Sequence, residues 1–205
     1  MRTNIALLIE QAANVIDSLN TGIRLTQDEQ TFICEHSTRE KIKKNDFTIK
    51  SGDFENYVYF IENGFLRYWT ICPPNSTKEQ TIWFGAPGEF ASSYFSLKNK
   101  KPSYMNIQAI TDCIIWKLSR QDLAHLYNIS LNLNKIARVF LEETFTSLLH
   151  REKQLLGLSC EDLYRDLLNR NKGLIKEVPL KYIASYLGIT PQTLSQIRRR
   201  IMQNK

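Results

Sequence analysis

Histidine is scarce in this chain: His36, His125 and His150 are the only three in 205 residues, and no two stand at metal-ligand spacing. That argues against a zinc or haem centre built on imidazole, and a jelly-roll metalloenzyme would need a His-x-His cluster on a strand, which is missing. Cysteine is nearly as sparse. Cys34, Cys72, Cys113 and Cys160 lie far apart and form no Cys-x-x-Cys pair, as expected of incidental thiols in a reduced intracellular protein. An iron–sulfur cluster near the N-terminus would need four closely spaced thiolates, and only Cys34 lies there. Long apolar runs are also lacking. No uninterrupted stretch approaches the roughly 20 residues that span a bilayer. Ile5-Ala-Leu-Leu-Ile9 is cut short by Glu10 and Gln11, unlike a secretory signal, so a cytoplasmic location without a membrane partner is expected. The carboxylate pairs Glu142-Glu143 and Glu161-Asp162 lie on helix surfaces and read as solvated charge rather than acid/base catalysts. No catalytic constellation, metal site or cofactor is expected, and no internal repeat or low-complexity segment is visible.

What is present is ordinary in amount and uneven in placement. Hydrophobic residues make up 42% of the chain and charged residues 23%, as in soluble globular proteins, and the length allows one large domain or two smaller ones. The net charge is +6. From Lys172 onward seven basic residues face a single acid, Glu177, so this tail alone matches the whole net charge. A polyanion-binding end on a neutral body follows.

Periodicity divides the chain into three parts. Residues 3–20 and 25–36 repeat apolar positions at helical spacing, the second after a Thr26 cap. From about Glu40 to Leu118 the pattern changes to short alternating or β-branched runs, at 46–50, 57–61, 65–71, 80–84, 104–109 and 112–117. Ser51-Gly-Asp53, Glu62-Asn-Gly64, Pro73-Pro-Asn75 and Ala86-Pro-Gly88 separate them, which predicts a small antiparallel barrel or roll. A short helix follows at 119–127, then a long one at 131–156 with no Gly or Pro inside. Some 25 helical residues extend about 37 Å, more than one side of a small roll can cover. Its apolar residues occupy more than one stripe, so one face packs on the roll while another, through Phe140, Leu141, Phe145 and Leu148, is free to pair with a second copy. Gly157-Leu-Ser159 breaks that helix, and Ser159 with Asp162 resembles a capped restart.

The last segment, 180–201, reads as a helix-turn-helix. Ile183, Leu187, Ile189, Leu194 and Ile197 fall where two short crossing helices bury their facing sides, with Ala184 at the closest approach. Gly188 suits a left-handed turn, Thr190 an N-cap, and Pro191 the first helical position. Such a unit places the start of its second helix in the major groove of double-stranded DNA.

Helical leader, roll, long helix and terminal helix-turn-helix, in this order, resemble the Crp/Fnr (catabolite-activator-like) family of bacterial transcriptional regulators. The resemblance covers essentially the whole chain and is carried by Gly52, by Val58-Tyr-Phe-Ile-Glu-Asn-Gly64, by Pro87-Gly-Glu-Phe90 and by 179–201. It implies an α+β chain: an N-terminal antiparallel β-roll of the cyclic-nucleotide-binding, jelly-roll type with flanking helices, a long dimerisation helix and an all-α helix-turn-helix domain. The boundaries expected are 1–130, 131–156 and 157–205. It also implies the partners: double-stranded DNA, a second copy of the chain, RNA polymerase and a small-molecule effector of unidentified chemistry.

The effector pocket by resemblance comprises Gly88, Glu89, Ser92, Ser93, Ser103 and Tyr104. Members that bind cyclic AMP carry Gly-Glu where this chain has Ser92-Ser93, and Arg-Ser or Arg-Thr where it has Ser103-Tyr104. A serine hydroxyl cannot replace a guanidinium that neutralises a phosphate. Lys98, Lys100 and Lys101 lie nearby as a solvated cluster, and the hydroxyls that contact adenine would fall at Leu148 and Leu149. The effector expected is therefore something other than cyclic AMP, or none.

At the DNA end, Thr190, Pro191, Gln192, Thr193, Ser195 and Gln196 occupy the first turns of the second helix, while Lys181, Arg198, Arg199 and Arg200 are suited to phosphates. Cyclic-AMP-type members read guanine with Arg near the positions of Pro191 and Gln196, so an A/T-richer or differently ordered half-site is expected. Only four residues follow Ile201, and no wing hairpin is expected there. Two readings stay open: a homodimeric regulator that reads a two-fold symmetric site, and a sensor or protein-interaction module with only weak DNA binding.

Overall fold

The computed structural model describes residues 4–17, 19, 22–71, 77–170 and 172–203. The Pro73–Asn75 turn and Cys72 lie outside them. Two leading helices, α1 (Ile5–Ile16) and α2 (Gln27–His36), each start at a side-chain cap. Asn4 accepts from the amides of Ala6 and Leu7, and Thr26 forms a reciprocal box with Glu29. The strands follow as β1 (Thr38–Ile42), β2 (Phe47–Ile49), β3 (Tyr57–Asn63), β4 (Leu66–Ile71), β5 (Glu79–Gly85) and β6 (Phe90–Ala91). A short helix, α3 (Tyr94–Asn99), separates these from β7 (Asn106–Ala109) and β8 (Cys113–Ser119). Then come α4 (Arg120–Ile129), α5 (Leu131–Gly157), α6 (Cys160–Arg170), α7 (Lys172–Glu177), α8 (Leu180–Leu187) and α9 (Pro191–Gln203). None of the described helices is long and apolar enough to cross a membrane.

The strands pair antiparallel in two sheets, ordered β1-β8-β3-β6 and β2-β7-β4-β5, and these face each other as a roll. Ile49, Ile61, Leu66, Ile107, Cys113 and Ile115 fill the space between them. The tight turn from β3 to β4 is possible because Gly64 has φ +89 and no side chain. A Cβ there would meet the Asp112 carbonyl oxygen and the Cys113 sulfur, each at 2.6 Å.

Both outer faces of the roll are covered by helices. Ile5, Ile9, Ala13 and Ile33 pack with Leu126, Leu133, Ile136 and Val139 against Phe60 of the first sheet. On the second sheet, Phe65, Phe84, Ala86 and Ile110 join one continuous cluster with Leu163, Leu167, Leu174, Ile183, Leu187, Leu194 and Ile197 of the C-terminal helices. The expected break at residue 157 therefore separates no independent core: the C-terminal helices share theirs with the roll.

Helix α5 ends at Gly157, where the break was expected, with Leu158 as the C-cap. The Ser159–Asp162 restart is present, the Asp162 amide donating to the Ser159 hydroxyl at 3.2 Å. The segment around 94–99, which carries no strand pattern and few helical cues, is helical. The strand expected from 104 begins only at Asn106, because Ser103 and Tyr104 belong to the turn before it.

Candidate functional site

Helices α8 and α9 meet across a three-residue turn. Gly188 adopts φ 73 as the C-cap of α8, and the Ile189 amide closes the turn on the Ala184 carbonyl at 3.0 Å. Thr190 caps α9: its hydroxyl accepts from the Thr193 amide at 3.1 Å and lies 2.9 Å from the Thr193 hydroxyl. The inner side of the pair is closed, with Ile183 and Ala184 of α8 buried against Leu194 and Ile197 of α9, and Ile189 partly buried beside them.

The outer side is open. Thr190, Pro191, Gln192, Thr193, Ser195, Gln196, Arg199, Arg200 and Lys181 are exposed, while Arg198 is half-buried. These residues are not equivalent. The hydroxyls of Thr190 and Thr193 are engaged with each other, and that of Ser195 donates to the Pro191 carbonyl at 2.9 Å. Gln192, Gln196 and Arg199 fall at i, i+4 and i+7 on one stripe, leaving two carboxamides and a guanidinium facing outward together. Arg200 sits 3.5 Å from Glu161 on α6, and Lys181 lies over the Tyr182 ring at 4.8 Å.

The residues assigned to an effector pocket are only partly brought together. Ser93 and Ser103 meet, their hydroxyl oxygens 2.8 Å apart and both buried. Ser92 turns to the Tyr57 carbonyl at 3.2 Å. Glu89 folds back on its own turn to accept from the Ala86 amide at 3.0 Å, and the Gly88 amide donates to the Ile61 carbonyl. Tyr104 is exposed and stacks edge-on against Phe95. Lys98, Lys100 and Lys101 are exposed, as are Leu148 and Leu149.

What fills the buried place is Glu55, which sequence reasoning missed. It is 2% exposed. Its carboxylate accepts from the amides of Ser93 (3.3 Å), Asn56 and Tyr57 (3.1 Å each), and its own amide donates to Ser96. Burial pushes its carboxyl above the ordinary carboxylate range, against the downward pull of those amides. A single acid between Phe54 and Asn56 has no spacing signal, since only the roll's closure encloses it.

On α5 the four residues assigned to pairing divide. Phe140 packs edge-to-face on Phe90 of the roll, with ring centres 4.7 Å apart. Leu141, Phe145 and Leu148 are about half exposed or more, and Leu149, Leu155 and Leu156 extend the same exposed apolar run.

Residues 39–130 match the cyclic nucleotide-binding domain family. Among solved structures, the chain is similar to FixK2 of Bradyrhizobium japonicum, at 21% identity and a TM-score of 0.66 over 82% of this chain and 85% of that one. It is similar to the c-di-GMP-responsive global regulator CLP of Xanthomonas campestris, at 17% identity and 0.65 over 84% and 89%. A protein of Eubacterium rectale assigned to the Crp/Fnr family of transcriptional regulators aligns at 13% identity and 0.67 over 88% and 85%. At such identities the likeness is one of fold, and it extends over most of the chain. Residues 39–130 thus match the cyclic nucleotide-binding domain family, and the fold over most of the chain is the one these three solved structures share.

Proposed function

We propose that this chain is a homodimeric transcription regulator that reads a two-fold symmetric DNA site through α9, with an effector other than cyclic AMP or none. The observation that carries this reading is the outward stripe Gln192, Gln196 and Arg199 on a capped helix whose opposite side is locked into a core. A rigid helix presenting carboxamides and a guanidinium fits base edges in the major groove, where Gln pairs with adenine and Arg with guanine. Lys181, Arg198 and Arg200 flank that stripe and supply phosphate contacts. A half-site containing adenine follows from the two glutamines.

Dimerisation rests on α5. Leu141, Phe145, Leu148 and Leu155 recur at steps of four, three and seven residues on a face left open to water, the spacing by which two helices pair in a left-handed coil. The missing phosphate site rests on Glu55 together with Ser93 and Ser103. A cyclic phosphate would have to enter beside a buried carboxyl with no guanidinium to neutralise it.

The test is selection of bound duplexes from random DNA. Enrichment of a palindrome with half-sites about 10 bp apart is expected. Retention that is independent of sequence would leave only the sensor reading. Calorimetry against cyclic AMP and cyclic GMP should show no saturable binding in the micromolar range.

A further inference from the structure

Four of the seven exposed Phe, Tyr and Trp side chains among the described residues lie on three short segments that are tied together. Phe54 belongs to the loop before β3, Tyr94 and Phe95 to α3, and Tyr104 to the turn before β7. The backbone on either side of Phe54 makes the first ties. The Ser103 amide donates to the Asp53 carbonyl at 2.8 Å, and the Glu55 amide donates to the Ser96 hydroxyl at 2.9 Å. The Gly52 amide donates to the Ser103 carbonyl, also at 2.8 Å. Phe95 and Tyr104 meet edge to face, with ring centres 5.5 Å apart.

Helix α3 reverses the usual polarity of a surface helix. Ser93 at its head and Ser96 within it are fully buried, whereas Tyr94 and Phe95 are 53% and 41% exposed. The buried hydroxyls hold the three segments from inside. That of Ser96 donates to the Lys101 carbonyl at 2.5 Å, and that of Ser93 lies 2.8 Å from the Ser103 hydroxyl. The rings on the outer side therefore stand on a fixed backbone. Apolar rings kept in water on a rigid frame mark a contact surface, because little order is lost when a partner covers them.

The charge around these rings has one sign. No Asp or Glu stands between Glu89 and Asp112, while Lys98, Lys100 and Lys101 are exposed at the end of α3 and just beyond it. On the neighbouring loop Glu55 is buried, and the Asp53 carboxylate accepts from the Lys50 amide at 3.2 Å. A partner carrying carboxylates is attracted to this rim and guided to it. A nucleic-acid strand fits less well, since bases stack on flat ring faces and the edge-to-face pair covers one face with the other ring. A polypeptide packs on rings at any angle, and the hydroxyls of Tyr94 and Tyr104 can bond its backbone.

We propose that the outer side of α3, with Phe54 and Tyr104 beside it, is a docking surface for an acidic segment of a partner protein that carries an apolar anchor. The surface lies on elements other than α9 and α5, so it stands whether or not the DNA reading does. Selection from a random dodecapeptide library on the full chain tests it. Enriched peptides should be acidic and contain an apolar residue, and fluorescence anisotropy should show saturable binding that weakens as salt rises. Tyr94→Ser combined with Phe95→Ser should weaken that binding roughly tenfold. Lys98→Glu combined with Lys101→Glu should weaken it by a similar factor. All four side chains are exposed, so the melting temperature of both variants should match the wild type. The lysine variant touches no ring and keeps the test readable if the aromatic variant unfolds. No enrichment, enrichment of neutral or basic peptides, or affinity unchanged in a folded variant would each overturn the proposal. So would binding of oligo-dT or of phosphatidylserine vesicles, lost in the same variants, with no peptide bound.

Discussion

Glu55 keeps its proton to a higher pH in the folded roll than in the unfolded chain, because burial penalises its charged form. The sign follows from linkage. With its folded value above the ordinary 4.5, its contribution to stability is complete below pH 4.5 and is lost as pH rises through the folded value. Glu55→Gln has no proton to lose, so its melting temperature should fall less steeply than that of the wild type as pH rises above 4.5. Parallel curves would show that Glu55 titrates normally. Two glycines offer a second residue-scale comparison. Gly188 has φ 73 with nothing within 4 Å of an added Cβ, so Gly188→Ala bears only the left-handed backbone cost of about 1–2 kcal/mol. Gly64 has the same problem plus contacts at 2.6 Å with Asp112 and Cys113, so Gly64→Ala should lower the melting temperature further. Calorimetric melting ranks the two; equal losses would mean that the Gly64 turn relaxes. Both glycines were visible as turn signals in the sequence. Glu55 was not, because burial of a lone acid is decided by strands distant in sequence.

Among elements, α5 carries the sharpest prediction. Its first turns bury Leu133, Ile136 and Val139 on the roll, while its later turns leave Leu141, Phe145 and Leu148 in water. Replacing Phe145 and Leu148 by Glu should give monomers in sedimentation and weaken binding to a two-fold site by roughly 100-fold, the loss of bivalency, with little change in folding. Dimers that persist in the double variant would place the interface elsewhere. The helix itself was legible from its unbroken apolar periodicity. The division of labour along it was not, since Phe140 looks like part of the free stripe until Phe90 is seen against it. Helix α3 escaped the sequence reading for the opposite reason. Six residues make less than two turns, and Tyr94 and Phe95 are exposed, so no stripe announces it.

For the whole molecule, the concentration of positive charge at the C-terminal end sets the salt response. If Lys181, Arg198 and Arg200 each neutralise one phosphate in both protomers, the plot of log affinity against log salt should have a slope of about −5. Arg200→Ala should flatten it by about 2 through the two protomers together. A flat dependence would leave the basic helix as a solvated surface alone.

The terminal helix pair, the roll and the long helix could be drawn from the chain because each depends on local spacing: apolar residues at period two or 3.6, a glycine or a cap at each end. That serines stand at positions 93 and 103 was legible in the same way, position by position. Tertiary structure alone decided that a carboxyl distant in sequence, Glu55, is buried against the Ser93 amide beside that pair. It alone decided that Arg67, one outward residue of a strand, lies buried beneath Tyr182 of α8. Sequence periodicity records which face of an element is turned from water, whereas the partner lying on that face is chosen by packing between segments more than a hundred residues apart.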